Sequence, residues 1–215
     1  MHQNLQKEER WLKKWVSYFL TYPALLENTT PETFVSRYLN CLNEFRKNPI
    51  SYVEKINQHL TLVVANQDAK TKDKCPFIYE NKGVVKVALQ KGKDAFDLAI
   101  ATISKLNPLP PVEFVDELKL NFSEDPKKWA DVKNLNDLFR EKSAQFSSKY
   151  DGFKLHHDTG IADPEVAFIL QLVDDSPFKT KRQQNICNPD ARFVGINYKR
   201  EEKTIVSTYV FCKSK

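Results

Sequence analysis

The C-terminal part of the chain constrains the fold more than any other part. The segments RFVGINY (192–198) and TIVSTYVF (204–211) alternate along their length with a period of two, which is typical of half-buried strands. The charged stretch KREEK separates them, so the pair predicts a β-hairpin. Helical patterns occupy most of the chain before it, and this order predicts the α+β class.

Two helices are marked by their start signals. Thr30 followed by Pro31 predicts a helix that ends before Asn48. Residues 163–173 predict a strongly buried helix with Asp163 as its N-cap. The remaining predictions are helices over 50–60 and 94–106, a loop over 66–83 and a mainly helical stretch over 112–146.

The N-terminal segment carries one aromatic face. Residues 4–22 predict a helix, because large aromatic residues recur there at steps of three and four. This face packs either on the protein's own domain or on a partner, and aromatic side chains are typical anchors of interfaces. We therefore divide the chain into an arm, 1–30, and a domain, 31–215. The candidate partner-binding residues are Trp11, Trp15, Tyr18, Phe19 and Tyr22.

Composition limits the classes of partner. A net charge of +5 favours acidic partners, such as an acidic protein surface, an anionic lipid face or nucleic acid. The basic residues are dispersed and form no RNA-binding motif, so nucleic acid is not expected. No apolar run is long enough to span a membrane, and the N-terminal sequence lacks the features of a secretory signal, so we expect an intracellular protein. The widely spaced Cys41, Cys75, Cys187 and Cys212 are expected to be buried thiols.

Three stretches, taken together, resemble a known family. They are LNEFRKNPISYVEKI (42–56), GKDAFDLAIATISKLNPLPPVEFVDEL (92–118) and LQLVDDSPFKTKRQQNICNPDARFVGINY (170–198). In this order they resemble the cysteine-poor members of the CAP superfamily, or SCP domain, named after cysteine-rich secretory proteins, antigen 5 and pathogenesis-related one proteins. The resemblance covers about residues 34–211. It implies a three-layer α-β-α sandwich closed by a C-terminal hairpin, to which this chain adds an N-terminal helix.

The resemblance also implies a central cleft with two histidines and two acidic residues, a set that can bind a divalent metal. The family pattern RGHRxNI places Arg182 where the second histidine stands, while Asn185 matches. Residues 118–150 contain no histidine to serve as the first, and Gly152-Phe153-Lys154 replaces the family's GEN. Arginine stays protonated and offers no lone pair to a metal. Arg182 and Asn185 are therefore predicted to mark a remnant cleft, with no metal, cofactor or catalytic residue.

The remaining polar candidates are predicted to be structural. His156 and His157 point to opposite faces in any regular element, so we expect them to lie in a loop or on the surface. Asp174 and Asp175 are expected to brace the loop before the hairpin, and Arg182 either pairs with one of them or faces solvent.

Three functions follow as hypotheses. The first is a non-catalytic interaction module, a structural subunit of a larger intracellular assembly with acidic filaments, cytoskeletal or ciliary. The second is a lipid or sterol carrier, a role implicated for some CAP proteins. The third, a hydrolase, is disfavoured by the missing histidines and glutamate.

Overall fold

The fold is taken from a computed structural model that describes residues 29–67, 75–81, 85–125, 128–129, 131–175, 181–201 and 204–215, with Val132 by its backbone alone. The predicted aromatic helix, with Trp11, Trp15, Tyr18, Phe19 and Tyr22, lies outside the described residues. The structure confirms the α+β class.

Local signals form the helices that surround the core. Helix α1 spans Pro31–Lys47, and the Thr30 side chain accepts a hydrogen bond from the Thr33 backbone N–H at 3.2 Å. Asp163 caps the buried helix α5, Pro164–Val173, in the same way, through the N–H groups of Glu165 and Val166, at 2.9 Å each. Both caps satisfy backbone donors that have no partner within the helix. The other helical elements are 3₁₀ turns at Pro49–Ser51 and Asp116–Leu118, α2 Tyr52–Leu60, α3 Lys93–Ile103, α4 Val132–Gln145, α5 Pro164–Val173 and α6 Arg182–Ile186.

The strands of the described residues form two sheets. The smaller sheet is antiparallel and has the order β1-β2-β3, from Val63–Ala65, Phe77–Asn81 and Val85–Leu89. The larger sheet has the order β4-β6-β7-β5, from Glu113–Phe114, Phe193–Glu201, Thr204–Ser214 and Tyr150–Thr159. Strand β4 is parallel to β6, and the other pairs are antiparallel. The predicted hairpin is confirmed as β6 and β7.

The main core lies on one face of the larger sheet. Side chains of α1 and α5 pack there against alternate residues of β6 and β7. The opposite face carries a smaller cluster around Leu118, Tyr150 and Cys212. Gly195 allows the chain to approach closely on that face, since a Cβ atom there would lie 2.4 Å from the carbonyl carbon of Leu118. Both faces of β7 are therefore covered.

Two sequence predictions were wrong in part. The range 66–83 contains strand β2, which is held between β1 and β3, so it is not all loop. The range 112–146 is α-helical over Val132–Gln145, whereas its first part supplies a short strand and a 3₁₀ turn against β6. Cys75 and Cys212 are buried as expected, whereas Cys41 and Cys187 are only partly buried.

Arg46 joins three distant parts of the chain. Its side chain is fully buried, and its nitrogens donate hydrogen bonds to four backbone carbonyls. The acceptors are Pro110 at 2.6 Å, Ile186 at 2.7 Å, Asn188 at 3.1 Å and Ala191 at 3.1 Å. Burial lowers the pKa of the Arg46 guanidinium to about 10, where it remains charged at neutral pH. This side chain fixes the end of α1 against the loops that lead into β4 and β6.

No helix in the described part of the chain combines the length and the apolar character that a bilayer crossing needs.

Candidate functional site

Strand β5 directs two polar side chains into the main core. His156 lies opposite Tyr209 of β7, and Asp158 lies opposite Ser207, so both point to the face that α1 and α5 cover. His156 is 3% exposed and Asp158 is 5% exposed. Buried polar groups of this kind need hydrogen-bond partners inside the protein.

Gln171 of α5 supplies the central partner. Its side-chain oxygen accepts hydrogen bonds from the Tyr38 hydroxyl and from His156 Nε2, the latter at 3.1 Å. Its amide nitrogen donates to Asp158 Oδ2. We call the group formed by Tyr38, His156, Asp158, Gln171, Arg182 and Asn185 the Gln171 network.

Helix α6 brings the two predicted cleft residues to this network. Arg182 Nη2 lies 3.0 Å from Asp158 Oδ1 and donates to the His157 carbonyl at 3.2 Å. Asn185 Nδ2 lies 3.3 Å from His156 Nδ1 and 3.5 Å from the Leu155 carbonyl. The Arg182 side chain is 18% exposed, so it forms the outer rim of the network.

The ion pair of Arg182 differs from the prediction. Its partner is Asp158, not Asp174 or Asp175. Asp175 instead accepts hydrogen bonds from the backbone N–H groups of Lys91, at 3.0 Å, and Gly92, at 2.7 Å. It thereby ties the end of α5 to the start of α3, which is a bracing role, but not one that acts on Arg182.

The prediction for the two histidines was half wrong. They do point to opposite faces, but both lie in strand β5 and neither is on the open surface: His156 is buried and His157 is half-buried. Gln171 and Asn185 stabilise the buried imidazole by occupying both of its nitrogens. Because Nε2 faces an acceptor and Nδ1 faces a donor, this arrangement fits the neutral tautomer that carries its proton on Nε2.

Burial dominates the electrostatics of the network. It lowers the pKa of His156 to about 3, a shift that Asp158 opposes and Arg182 increases. Burial, followed by Arg182, lowers the pKa of His157 to about 4. The hydroxyl pKa values of Tyr38 and Tyr209 are raised well above their usual range for the same reason. At neutral pH both histidines and both tyrosines are therefore uncharged.

Stability should therefore depend on pH through His156. In the unfolded chain a histidine takes up a proton near pH 6.5, whereas the folded protein keeps His156 neutral down to about pH 3. As the pH falls from 7 to 5, only the unfolded state gains this proton, so the free energy of unfolding falls by about 2 kcal/mol from this residue. Urea titrations at pH 7, 6 and 5 should show a shallower fall for His156→Gln than for the unchanged protein. Parallel curves for the two proteins would contradict the assignment.

The geometry leaves few groups free for chemistry. Both nitrogens of His156 and both oxygens of Asp158 are bonded inside the protein. Across the ranges given above, no three histidine, cysteine, aspartate or glutamate side chains come together in a way that could hold a metal ion. A bonded, neutral imidazole beside a paired carboxylate is suited to fixing the positions of α5, α6 and β5 rather than to accepting a substrate proton.

Sequence reasoning identified Arg182 and Asn185, and the structure brings them together in one network. Sequence reasoning missed the other four members of the network, Tyr38, His156, Asp158 and Gln171. The spacing of His156 and Asp158 by two residues was a signal, since it places both on one face of a strand.

Comparison of the chain with family models, curated proteins and solved structures returns no match.

Proposed function

We propose that the chain is a non-catalytic interaction module with a CAP-type domain, a structural subunit of a larger intracellular assembly such as a cytoskeletal or ciliary complex. The observation that carries this proposal is the Arg182–Asp158 ion pair at 3.0 Å. It occupies the position where the family pattern has a metal-binding histidine, and both oxygens of its carboxylate are already bonded. An arginine held in this way fills the cleft instead of opening it to a ligand.

The contacts of Arg46 support the family assignment. Arg46 belongs to the first of the three resembling stretches, Pro110 to the second, and Ile186, Asn188 and Ala191 to the third. Resemblance in sequence order alone does not require these stretches to touch. Their meeting at one buried guanidinium is what a single fold, shared with the family, would produce.

Backbone conformation at Lys181 supports the alignment of the third stretch. Lys181 has a φ of 54°, in the left-handed region that favours glycine. The family pattern RGHRxNI has glycine at this position. The chain keeps the conformation while it replaces both the glycine and the histidine that follows it.

The packing on both faces of the larger sheet supports a three-layer sandwich. Helices α1 and α5 cover one face. On the other face, Phe146 at the end of α4 packs on the cluster of Leu118, Tyr150 and Cys212. We therefore assign α4 to the third layer.

The first test is purification from native cells at mild salt, followed by identification of the associated proteins by mass spectrometry. A reproducible set of filament or axonemal proteins is the expected result. Protein that arrives alone with stoichiometric bound lipid would overturn the proposal and favour a lipid carrier.

The aromatic arm provides the matched variants for that test. Trp11→Ala and Trp15→Ala should each reduce recovery of the partners by about tenfold, because buried tryptophans are typical hot spots of interfaces. Lys13→Ala, on the opposite side of the same predicted helix, should leave recovery unchanged. Circular dichroism and thermal unfolding of each purified variant check the fold. If both tryptophan variants unfold the isolated protein, the arm belongs to its own core.

A further inference from the structure

A short proline-rich segment, KLNPLPPV (105–112), follows helix α3. Proline fixes φ near −65°, and a residue that precedes proline is held in the extended region. Pro108, Pro110 and Pro111 together impose these limits on every residue from Asn107 to Pro111. These limits favour the left-handed polyproline II conformation, which has three residues per turn.

Burial along the segment follows this three-residue period. Leu106 and Leu109 are partly buried and Val112 is 3% exposed, so every third residue faces the domain. The residues between them are exposed as two dipeptides that each end in proline, Asn107-Pro108 and Pro110-Pro111. One edge of the polyproline helix thus rests on the protein, and its other two edges face solvent.

Four hydrogen bonds tie this segment to the domain. Asn43 forms two hydrogen bonds with the backbone of Val112, at 3.0 Å to its carbonyl and 2.9 Å from its N–H. The Leu109 N–H donates to the Arg46 carbonyl at 2.6 Å, and Arg46 Nε donates to the Pro110 carbonyl at 2.6 Å. A ligand that is already ordered loses less conformational entropy when it binds.

The surroundings leave room for a partner. Pro108 and Pro111 lie three residues apart and line a groove of about 450 Å³ between this segment and α1. Aromatic rings of a partner can therefore contact the proline rings from the side. Lys105 is exposed at the N-terminal end of the segment and adds a positive charge.

We propose that this exposed ridge, residues 105–111, binds the aromatic groove of an SH3-type domain. Such grooves recognise PxxP segments in the polyproline II conformation, and two X-Pro dipeptides separated by one residue match their paired pockets. Leu109 is the separating residue; it is partly buried and lines the same groove as Pro108 and Pro111. Lys105 complements an acidic pocket beside the groove. The inference rests on the proposed role as an interaction module, but it uses a different surface from the aromatic arm.

The test uses the full-length protein and an array of purified SH3 domains, with purified WW domains on the same surface. Calorimetry then measures the affinity of each domain that binds. The variant Pro108→Ala/Pro111→Ala should bind its SH3 domain at least about tenfold more weakly, and Lys105→Glu should also weaken binding. The matched control is Pro189→Ala, which changes another exposed proline that follows an asparagine and has no second X-Pro dipeptide beside it. Thermal unfolding of all three variants checks that the domain remains folded.

The outcomes separate this inference from the proposed function. Absence of SH3 binding, binding by WW domains alone, or binding that survives the double proline substitution would each overturn the inference. Partners that depend on Trp11 and Trp15 would still be recovered from native cells in those cases, and the proposed function would stand. If no SH3 domain binds and no partner that depends on Trp11 and Trp15 is recovered, both proposals are overturned.

Discussion

Replacing Arg46 with methionine is expected to lower the free energy of unfolding by about 4 kcal/mol. Methionine fills much of the same volume but donates no hydrogen bond, so the carbonyls of Pro110 and Ile186 lose their donor. The other two acceptors keep a second donor, since the Asn188 carbonyl also accepts from the Ala191 N–H at 3.3 Å and the Ala191 carbonyl from Arg192 Nη1 at 3.0 Å. An unsatisfied buried acceptor costs about 1–3 kcal/mol, and the sum places this change among the most damaging single substitutions. The loss of the buried charge, whose pKa is lowered to about 10 by desolvation, offsets only part of that cost.

Urea unfolding monitored by circular dichroism measures this effect. Arg37→Met is the matched control, because Arg37 is exposed on the same helix and its loss should change stability by less than about 0.5 kcal/mol. Arg46→Lys should lie between the two, since lysine keeps the charge but cannot reproduce the planar fork of donors. A loss below about 1 kcal/mol for Arg46→Met would show that the carbonyls find other donors.

Replacing Arg182 with methionine is expected to cost about 4 kcal/mol. Asp158 is 5% exposed, and the substitution leaves its carboxylate buried without a counter-charge. Breaking a buried pair by removing one partner typically costs about 3–5 kcal/mol, whereas removing both partners costs much less. The double variant Arg182→Met/Asp158→Asn should therefore be more stable than Arg182→Met, because asparagine can still accept the hydrogen bond from Gln171.

A double-mutant cycle at pH 7 measures the coupling free energy between Arg182 and Asp158, which we expect to be at least about 2 kcal/mol. The exposed pair of Arg140 and Asp137 is the control. Arg140 Nη1 and Asp137 Oδ1 lie 3.4 Å apart, but the two side chains are 79% and 47% exposed. Arg140→Met should therefore lower the free energy of unfolding by no more than about 0.5 kcal/mol. Equal losses for Arg182→Met and Arg140→Met would show that solvent screens the pair with Asp158.

The parts of the fold that depend on contacts between residues close in sequence were predictable from the sequence. Thr30 and Asp163 begin helices through hydrogen bonds that reach only two or three residues along the chain. The hairpin of β6 and β7 follows from local alternation. Strand β5 was missed because its pattern is inverted. Its most buried positions include His156 and Asp158, whereas Phe153 and Leu155 are only partly buried.

The candidate site was predictable only where a motif carried it. Arg182 and Asn185 stood out because they belong to a stretch that resembles a family. Their partners could not be found in this way, since Gln171 meets Tyr38 across 133 residues and Arg182 meets the His157 carbonyl across 25. A surface position for His156 was the natural expectation, because only these distant contacts stabilise an imidazole in the core.

The position of α6 also affects whether the edge of the larger sheet can pair with a strand of another molecule. Among the described strands, β5 is one of the two outer strands of the larger sheet, and an outer strand offers backbone groups to which a strand of another molecule can add. Asn185 and Arg182 cover two of those acceptors, the carbonyls of Leu155 and His157. The two side chains that α6 adds to the Gln171 network therefore also cover part of this edge of the sheet. Detachment of α6 would expose these carbonyls to edge-to-edge pairing with a strand of another molecule.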